Sequence, residues 1–117
     1  MGITIGALDI CAAAIAGSSY LTHIAVGTGS STFTSGDTAL LSEVDRNLID
    51  TYDLSTAEQV TMYANWSPTD ISGCIMREFG TFTAGSVMAN REVIAGSYVF
   101  DGDAELQIIQ TIKFLIV

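Results

Sequence analysis

Basic side chains are few in this 117-residue chain. Lysine and arginine together number 4, against 13 aspartate and glutamate residues, which gives a net charge of −9. Four scattered cations cannot neutralise a row of phosphates, and the net negative charge repels a nucleic-acid backbone, so the composition argues against nucleic-acid binding. It argues equally against attachment to an anionic membrane surface. No run of about 20 apolar residues is present, so we expect no membrane-spanning helix.

Cysteine and histidine are also scarce: the chain has Cys11, Cys74 and the single histidine His23. Small secreted scaffolds are much denser in cysteine. We therefore expect two buried thiols in a protein that folds in a reducing cytoplasm, and a disulfide between them stays open. Without a CxxC pair or a second histidine there is no zinc-ligand set, and His23 is the only candidate base for a serine nucleophile. The sequence predicts no metal, no cofactor and no enzyme activity.

Apolar residues, by contrast, are plentiful: 49% of the chain is hydrophobic and only 15% is charged. Disordered acidic chains lack this content of Ile, Val, Leu and Phe. The length suits one domain with one core, so we expect residues 1–117 to form a single domain. The low charged fraction also indicates that part of the surface meets another protein.

Hydrophobic periodicity predicts a mostly β protein. Residues 5–16 are rich in alanine, with apolar positions at helical spacing, and the strand Leu21–Val26 follows. From Glu43 onward about five segments alternate with a period of two, most clearly Val60–Trp66 and Leu106–Phe114. Short connections favour antiparallel pairing. The expected fold is mostly β (α+β), an antiparallel β-sandwich or barrel-like sheet with one N-terminal helix packed on it.

The segment Gly27–Gly36 is rich in Gly, Ser and Thr, and Phe33 is its only large apolar residue. It resembles a phosphate-binding loop in composition only, because such a loop needs a lysine that this segment lacks. We expect a flexible loop. Asp37 is then expected to cap a short helical turn over Thr38–Ser42, since its carboxylate can accept from first-turn amides.

Three of the four cations lie beside carboxylates in segments that read as strands. An unpaired buried charge is costly, so we expect these groups to form ion pairs that organise the fold. The candidate ion-pair residues are Arg46, Arg77, Glu78, Arg91 and Glu92.

Large aromatic residues supply the candidate assembly surface, for which Phe33, Trp66 and Phe82 are the expected members. A different interpretation is a sugar-binding platform formed by Tyr52, Tyr63 and Trp66. Alternation along the strand places Tyr63 and Trp66 on opposite faces, so ordinary core and interface packing is favoured.

Three segments, taken in order, resemble a known family. They read LTHIAVGTG (Leu21–Gly29), DTALLSEVDR (Asp37–Arg46) and IMREFGTF (Ile75–Phe82). This order resembles the N-terminal domain of tail-collar fibre proteins of tailed bacteriophages, and small phage virion proteins built on the same pattern. The chain differs from that pattern at Asp45, where the family often has an aromatic residue, and at Met76, where we expect a bulge or a register slip.

The resemblance implies a non-enzymatic structural protein of the virion, a tail, collar or baseplate component that attaches fibres or forms part of them. Its implied partners are copies of itself, as a trimer, and other virion proteins of the tail or capsid, after synthesis in the bacterial cytoplasm. Family fibre proteins continue into a shaft that this sequence lacks. A capsid decoration protein that clamps the major capsid subunits therefore stays open, and a small carbohydrate- or receptor-binding module is a third hypothesis.

Overall fold

The computed structural model describes residues 11–16, 20–34, 36–71, 73–99 and 105–114. This part of the chain is mostly β-strand, with a short helix over residues 11–16. The strands are β1 Leu21–Gly27, β2 Glu43–Leu48, β3 Thr51–Asp53, β4 Gln59–Trp66, β5 Ile75–Thr83, β6 Met88–Val99 and β7 Leu106–Lys113. The predicted class, a mostly β fold of antiparallel sheets with one N-terminal helix, is confirmed.

The strands form two antiparallel sheets, one with the order β2-β1-β5-β6 and one with the order β3-β4-β7. Consecutive strands pair at β1–β2, β3–β4 and β5–β6, whereas the chain changes sheet after β2, β4 and β6. The first change of sheet takes two residues. The amide of Ile49 donates to the carbonyl of Thr22 in β1, and the amide of Asp50 donates to the carbonyl of Tyr63 in β4. Each residue of this link therefore bonds a different sheet.

The core lies between the two sheets. The largest of its completely buried side chains are Ile24, Val26, Val60, Met62 and Trp66. The helix contributes the buried Ala12, so it packs on this core as the sequence predicted. Even-numbered residues of β4 and β7 face inward and odd-numbered residues face outward, because successive side chains of a strand point to opposite sides.

Two of the three aromatic residues expected on an assembly surface are buried, so that prediction was wrong for Trp66 and Phe82. Trp66 is 1% exposed, and its indole Nε1 donates to Asp45 Oδ2 at 3.0 Å. Phe82 is also 1% exposed, with the guanidinium of Arg46 3.9 Å from its ring centre. Large rings stabilise most when buried, and here the polar atom of Trp66 finds a partner inside the fold. Phe33 is exposed.

Three local expectations also differ from the structure. The residues after Asp37 form no helical turn; the Asp37 carboxylate instead accepts from the amide and hydroxyl of Thr34, which closes a turn before it. Cys11 is exposed rather than buried, because residue 11 lies on the outer side of the short helix; Cys74 is buried, and both thiols are free. β6 continues through Gly96, although a glycine after an apolar segment favours the end of a strand.

The continuation of β6 depends on an irregularity in its pairing with β5. The register shifts between Met76 and Glu78, the place where the sequence predicted a bulge, and Gly96 has a φ of 109°. A positive φ of this kind is accessible to glycine at little cost.

No helix of the described residues is long and apolar enough to span a membrane.

The inward and outward assignment of β7 is testable with adjacent isoleucines. Ile108→Ala is expected to lower the free energy of unfolding by about 2–5 kcal/mol, because removing a buried side chain leaves a cavity. Ile109→Ala makes the same truncation at a residue that is 53% exposed, and should change the free energy of unfolding by less than about 0.5 kcal/mol. Urea unfolding followed by Trp66 fluorescence measures both, and equal losses would contradict the assignment.

Candidate functional site

The outer face of the four-stranded sheet, which points away from the other sheet, is covered by residues 28–34 and 36–42. We call these residues the covering loop. Ala25, Gly80 and Arg91 form one cross-strand row of this face, because they pair directly across β1, β5 and β6. Gly27 and Glu78 belong to the next row. The loop packs its buried Leu40 against this surface, in a small second core with Ala25 and Phe82.

The carboxylate of Glu78 holds the covering loop onto the sheet. Glu78 is fully buried. Its Oε2 accepts from the amides of Gly29 and Ser42, both at 2.8 Å. Its Oε1 accepts from the amide of Leu41 and from Nε of Arg91, also both at 2.8 Å. Each oxygen thus has two donors, which compensates the cost of removing the charge from water.

Arg91 links the sheet to the loop a second time. Its side chain is 1% exposed, and Nη1 donates to Asp37 Oδ2 at 3.2 Å while Nε donates to Glu78. The guanidinium therefore lies between one carboxylate from β5 and one from the covering loop. Its Nη2 is buried without a hydrogen-bond partner among the described residues. Two carboxylates share one guanidinium, so the cluster retains a net negative charge.

Glycine is required where the loop approaches this carboxylate. A Cβ at Gly29 would lie 2.5 Å from Glu78 Oε2, and a Cβ at Gly27 would lie 2.7 Å from the same atom and 2.5 Å from the carbonyl oxygen of Ser42. Neither distance is compatible with a real side chain, so these glycines provide space for the buried carboxylate. Both residues belong to the segment predicted from its composition as a flexible loop, and that composition did not indicate this role.

Two opposing effects determine the ionisation of Glu78. Burial raises the pKa of its carboxyl group, because an ion is less stable away from water. The hydrogen bonds from Arg91 and from the amides of Ser42, Leu41 and Gly29 favour the ion, and together they hold the pKa below its usual value of 4.5. Glu78 is therefore ionised at neutral pH, and its charge takes part in closing the loop.

The residues expected to form ion pairs do not all do so. Arg46 pairs with Glu43 through two bonds of 2.8 and 3.1 Å. Within the described part of the chain no carboxylate forms a salt bridge with Arg77, whose Nη1 lies 3.5 Å from the carbonyl oxygen of Thr28.

Glu92 does not take part in the Glu78 cluster. Its side chain is exposed, and Arg91 pairs with Glu78 across two strands rather than with its neighbour in sequence. For Glu78 and Arg91 the sequence carried a signal, an acid within one apolar strand segment and a base within the next, which indicates a cross-strand pair. Asp37, the second partner of Arg91, lies in the covering loop, where no such pattern indicated it.

The three aromatic residues of the sugar-platform hypothesis do not share an exposed face, so the platform predicted from them was wrong. Trp66 is in the core, and the Tyr52 hydroxyl donates to the carbonyl of Leu21 inside the sandwich. Tyr63 lies on the outer face of the three-stranded sheet, since its neighbours Met62 and Ala64 are core residues.

Apolar side chains are exposed beside the anchored loop. Phe33 and Leu41 project from the covering loop, and Val44 follows on the edge strand β2. Val44 also lines a groove of about 470 Å³, together with Ile75 and Arg77 of β5. Loops held by a rigid scaffold commonly carry binding functions, and exposed apolar groups of this kind suit contact with another protein.

The described residues contain no group of three or more His, Cys, Asp and Glu side chains that could hold a metal ion. No protein-family model matches the chain, and no curated protein sequence matches it.

Removing the charge of Glu78 tests its role as the anchor of the loop. We expect Glu78→Gln to lower the free energy of unfolding by about 2–4 kcal/mol, because an amide offers one acceptor oxygen and leaves the buried Arg91 with the Asp37 carboxylate as its remaining anion. Glu92→Gln, the same change at an exposed residue, should cost less than about 0.5 kcal/mol. Urea unfolding gives both values. A Glu78→Gln variant as stable as Glu92→Gln would show that the carboxylate does not hold the loop.

The lowered pKa of Glu78 predicts a loss of stability in acid. Its folded pKa lies below the usual 4.5, so its ionised form stabilises the fold. That contribution is fully present above the unfolded pKa and is lost as the pH falls through the folded pKa. The difference in unfolding free energy between wild type and Glu78→Gln should therefore shrink between neutral pH and about pH 3. A difference that stays constant with pH would contradict an ionised Glu78.

Proposed function

We propose that this protein is a non-enzymatic structural component of a tailed-phage virion. In this proposal it belongs to the tail, collar or baseplate, where it attaches fibres or forms part of them. It works by protein–protein assembly, with copies of itself and with other virion proteins.

One observation carries the proposal: a single carboxylate joins the three segments that resemble tail-collar fibre proteins. Glu78 lies in the third segment, and it accepts from the amide of Gly29 in the first and from the amides of Leu41 and Ser42 in the second. The strands of these segments are also adjacent, in the order β2-β1-β5. Residues that are far apart in the sequence thus form one structural unit, which supports treating the three matches as one motif.

The unit also has a surface suited to assembly. The carboxylate cluster holds the covering loop in place, while Phe33 and Leu41 project from it with 47% and 63% of their surface exposed. A loop anchored before binding loses less conformational entropy when a partner covers it. The exposed apolar groups then add burial of nonpolar surface to the interface.

The number of copies per particle tests the position in the virion. The chain should be present in purified particles of the phage or prophage whose genome encodes it, in a few to a few dozen copies. Quantitative densitometry against the major capsid protein measures this. Hundreds of copies would replace the tail assignment by capsid decoration, and absence from the particle would contradict a virion role.

The covering loop can be tested in the same particles. Leu41→Glu places a charge on the exposed tip and should reduce incorporation of the protein into virions by about tenfold or more, because an interface that buries this side chain would then bury an unpaired charge. Leu54→Glu is the matched control, since Leu54 is exposed between β3 and β4, away from the loop. Equal incorporation of both variants, with unchanged unfolding midpoints, would exclude the loop from the contact.

A further inference from the structure

The outer face of the three-stranded sheet differs from the rest of this acidic protein. It consists of the odd-numbered residues of β3, β4 and β7, which alternate with the core residues, and we call it the β4 face. Of its ten side chains only Asp53 and Lys113 carry a charge, although the chain has 17 charged residues. Protein interfaces are depleted in charge at their centre and enriched in tyrosine.

Four polar side chains of the β4 face are already bonded to one another in two cross-strand pairs. The hydroxyls of Thr61 and Thr111 lie 3.0 Å apart across β4 and β7, and Gln107 Nε2 donates to Asn65 Oδ1 at 3.0 Å. Asn65 in turn donates to Asp50, which lies beyond the end of β3 at the rim of the face. Groups that are paired within the face lose fewer bonds to water when it is covered, so the cost of covering them is small.

The centre of the β4 face is partly apolar. Tyr63 pairs directly with Ile109 across β4 and β7, which brings their side chains together, and Ile109 is 53% exposed. A tyrosine beside an exposed isoleucine gives the face a centre whose burial is favourable.

The two charged residues lie on opposite edges of the face. β4 is the middle strand, Asp53 is on the edge strand β3 and Lys113 is on the edge strand β7. Asp53 is level with Thr61, and Lys113 is level with Gln59, so the two charges are offset by two residues, or about 7 Å, along the strands. A two-fold axis parallel to β4 places β3 of one copy over β7 of a second copy. Each Asp53 then lies over the strand that carries Lys113 of the other copy, about 7 Å further along it, an offset that a long lysine side chain can span.

We propose that the β4 face binds the same face of a second copy of this chain, with Asp53 of each copy paired to Lys113 of the other. This contact is isologous, since the same patch serves both copies. Two chains of charge −9 repel each other over most of their surfaces, whereas here the approach removes little solvation and gains two ion pairs. The proposal is independent of the virion role.

The size of the face predicts how strong the contact is. Two strands of eight residues and one of three, about 4.8 Å apart, cover roughly 300 Å² per copy, which is below the area buried in standard stable interfaces. The pair is therefore weak in dilute solution and gains importance where copies are held close together. Because the two-fold axis closes a pair, the trimer expected from the sequence needs a different surface.

Charge exchange tests the contact. In sedimentation velocity over a concentration series, the wild type should associate reversibly, and Asp53→Lys and Lys113→Asp should each weaken association by about tenfold or more. The double variant, which exchanges the two charges and restores the net charge, should associate as the wild type does. Glu92→Lys is the matched control, because it changes the net charge by the same two units as Asp53→Lys at an exposed residue of the other sheet. It should associate at least as well as the wild type.

Several outcomes would overturn the proposal. One is a wild type that stays monomeric throughout the series, and another is a double variant that does not recover. A third is Asp53→Lys strengthening association as Glu92→Lys does, which would mean that only net charge matters. Unfolding midpoints of all variants, measured in parallel, separate loss of contact from loss of fold.

A cross-linking experiment checks the orientation without charged substitutions. The two-fold axis runs over β4, so the two copies of Thr61 should lie close together. Thr61→Cys, made together with Cys11→Ser to remove the exposed native thiol, should give dimers with a short bis-maleimide. Val87 is exposed but lies outside the β4 face, so Val87→Cys in the same background should give no cross-linked dimers. Dimers from Val87→Cys alone would place the contact elsewhere.

Discussion

One buried carboxylate determines the arrangement of the four-stranded sheet and its covering loop. Glu78 carries its charge into a fully buried position, where an ion persists only if nearly all of its acceptor sites are used. Three backbone amides and one guanidinium fill those sites. The amides reach the carboxylate only when the loop backbone follows one path. Any other path would leave the buried charge without its donors, so this conformation of the loop is strongly favoured. Hydrophobic packing alone is much less directional.

This requirement extends to the neighbouring residues. Gly27 and Gly29 have no side chain because the carboxylate occupies that space. A Cβ at Gly80 would lie 2.5 Å from the carbonyl oxygen of Asn90, so β6 can approach β5 closely and bring Arg91 within reach. The small core of Ala25, Leu40 and Phe82 forms beside the ionic cluster, under the same loop. Apolar and ionic contacts therefore stabilise the same loop conformation.

The extent to which the sequence predicts this fold depends on the range of the interactions involved. The inward and outward faces of β4 and β7 follow from alternation, which is local, and they could be predicted. The pairing of Arg91 with Asp37 joins residues 54 positions apart, and no local pattern indicates it. The burial of Trp66 and Phe82 was missed for a related reason, since exposure depends on which sheet and loop cover each face. Short alternating segments show that strands exist but not in which sheet they lie.

The two sheets place charge in opposite ways, and this difference bears on what each outer face can bind. The four-stranded sheet concentrates Glu78, Arg91 and Arg46 on its outer face and buries Glu78 and Arg91 beneath the covering loop, which holds that loop in a defined shape. A defined shape can discriminate between partners, because a mismatched partner would leave polar groups unpaired. The outer face of the three-stranded sheet is nearly without charge, so it offers little electrostatic discrimination but also little repulsion. In a protein of charge −9, such a face suits contact between identical copies, while the loop suits one particular neighbour.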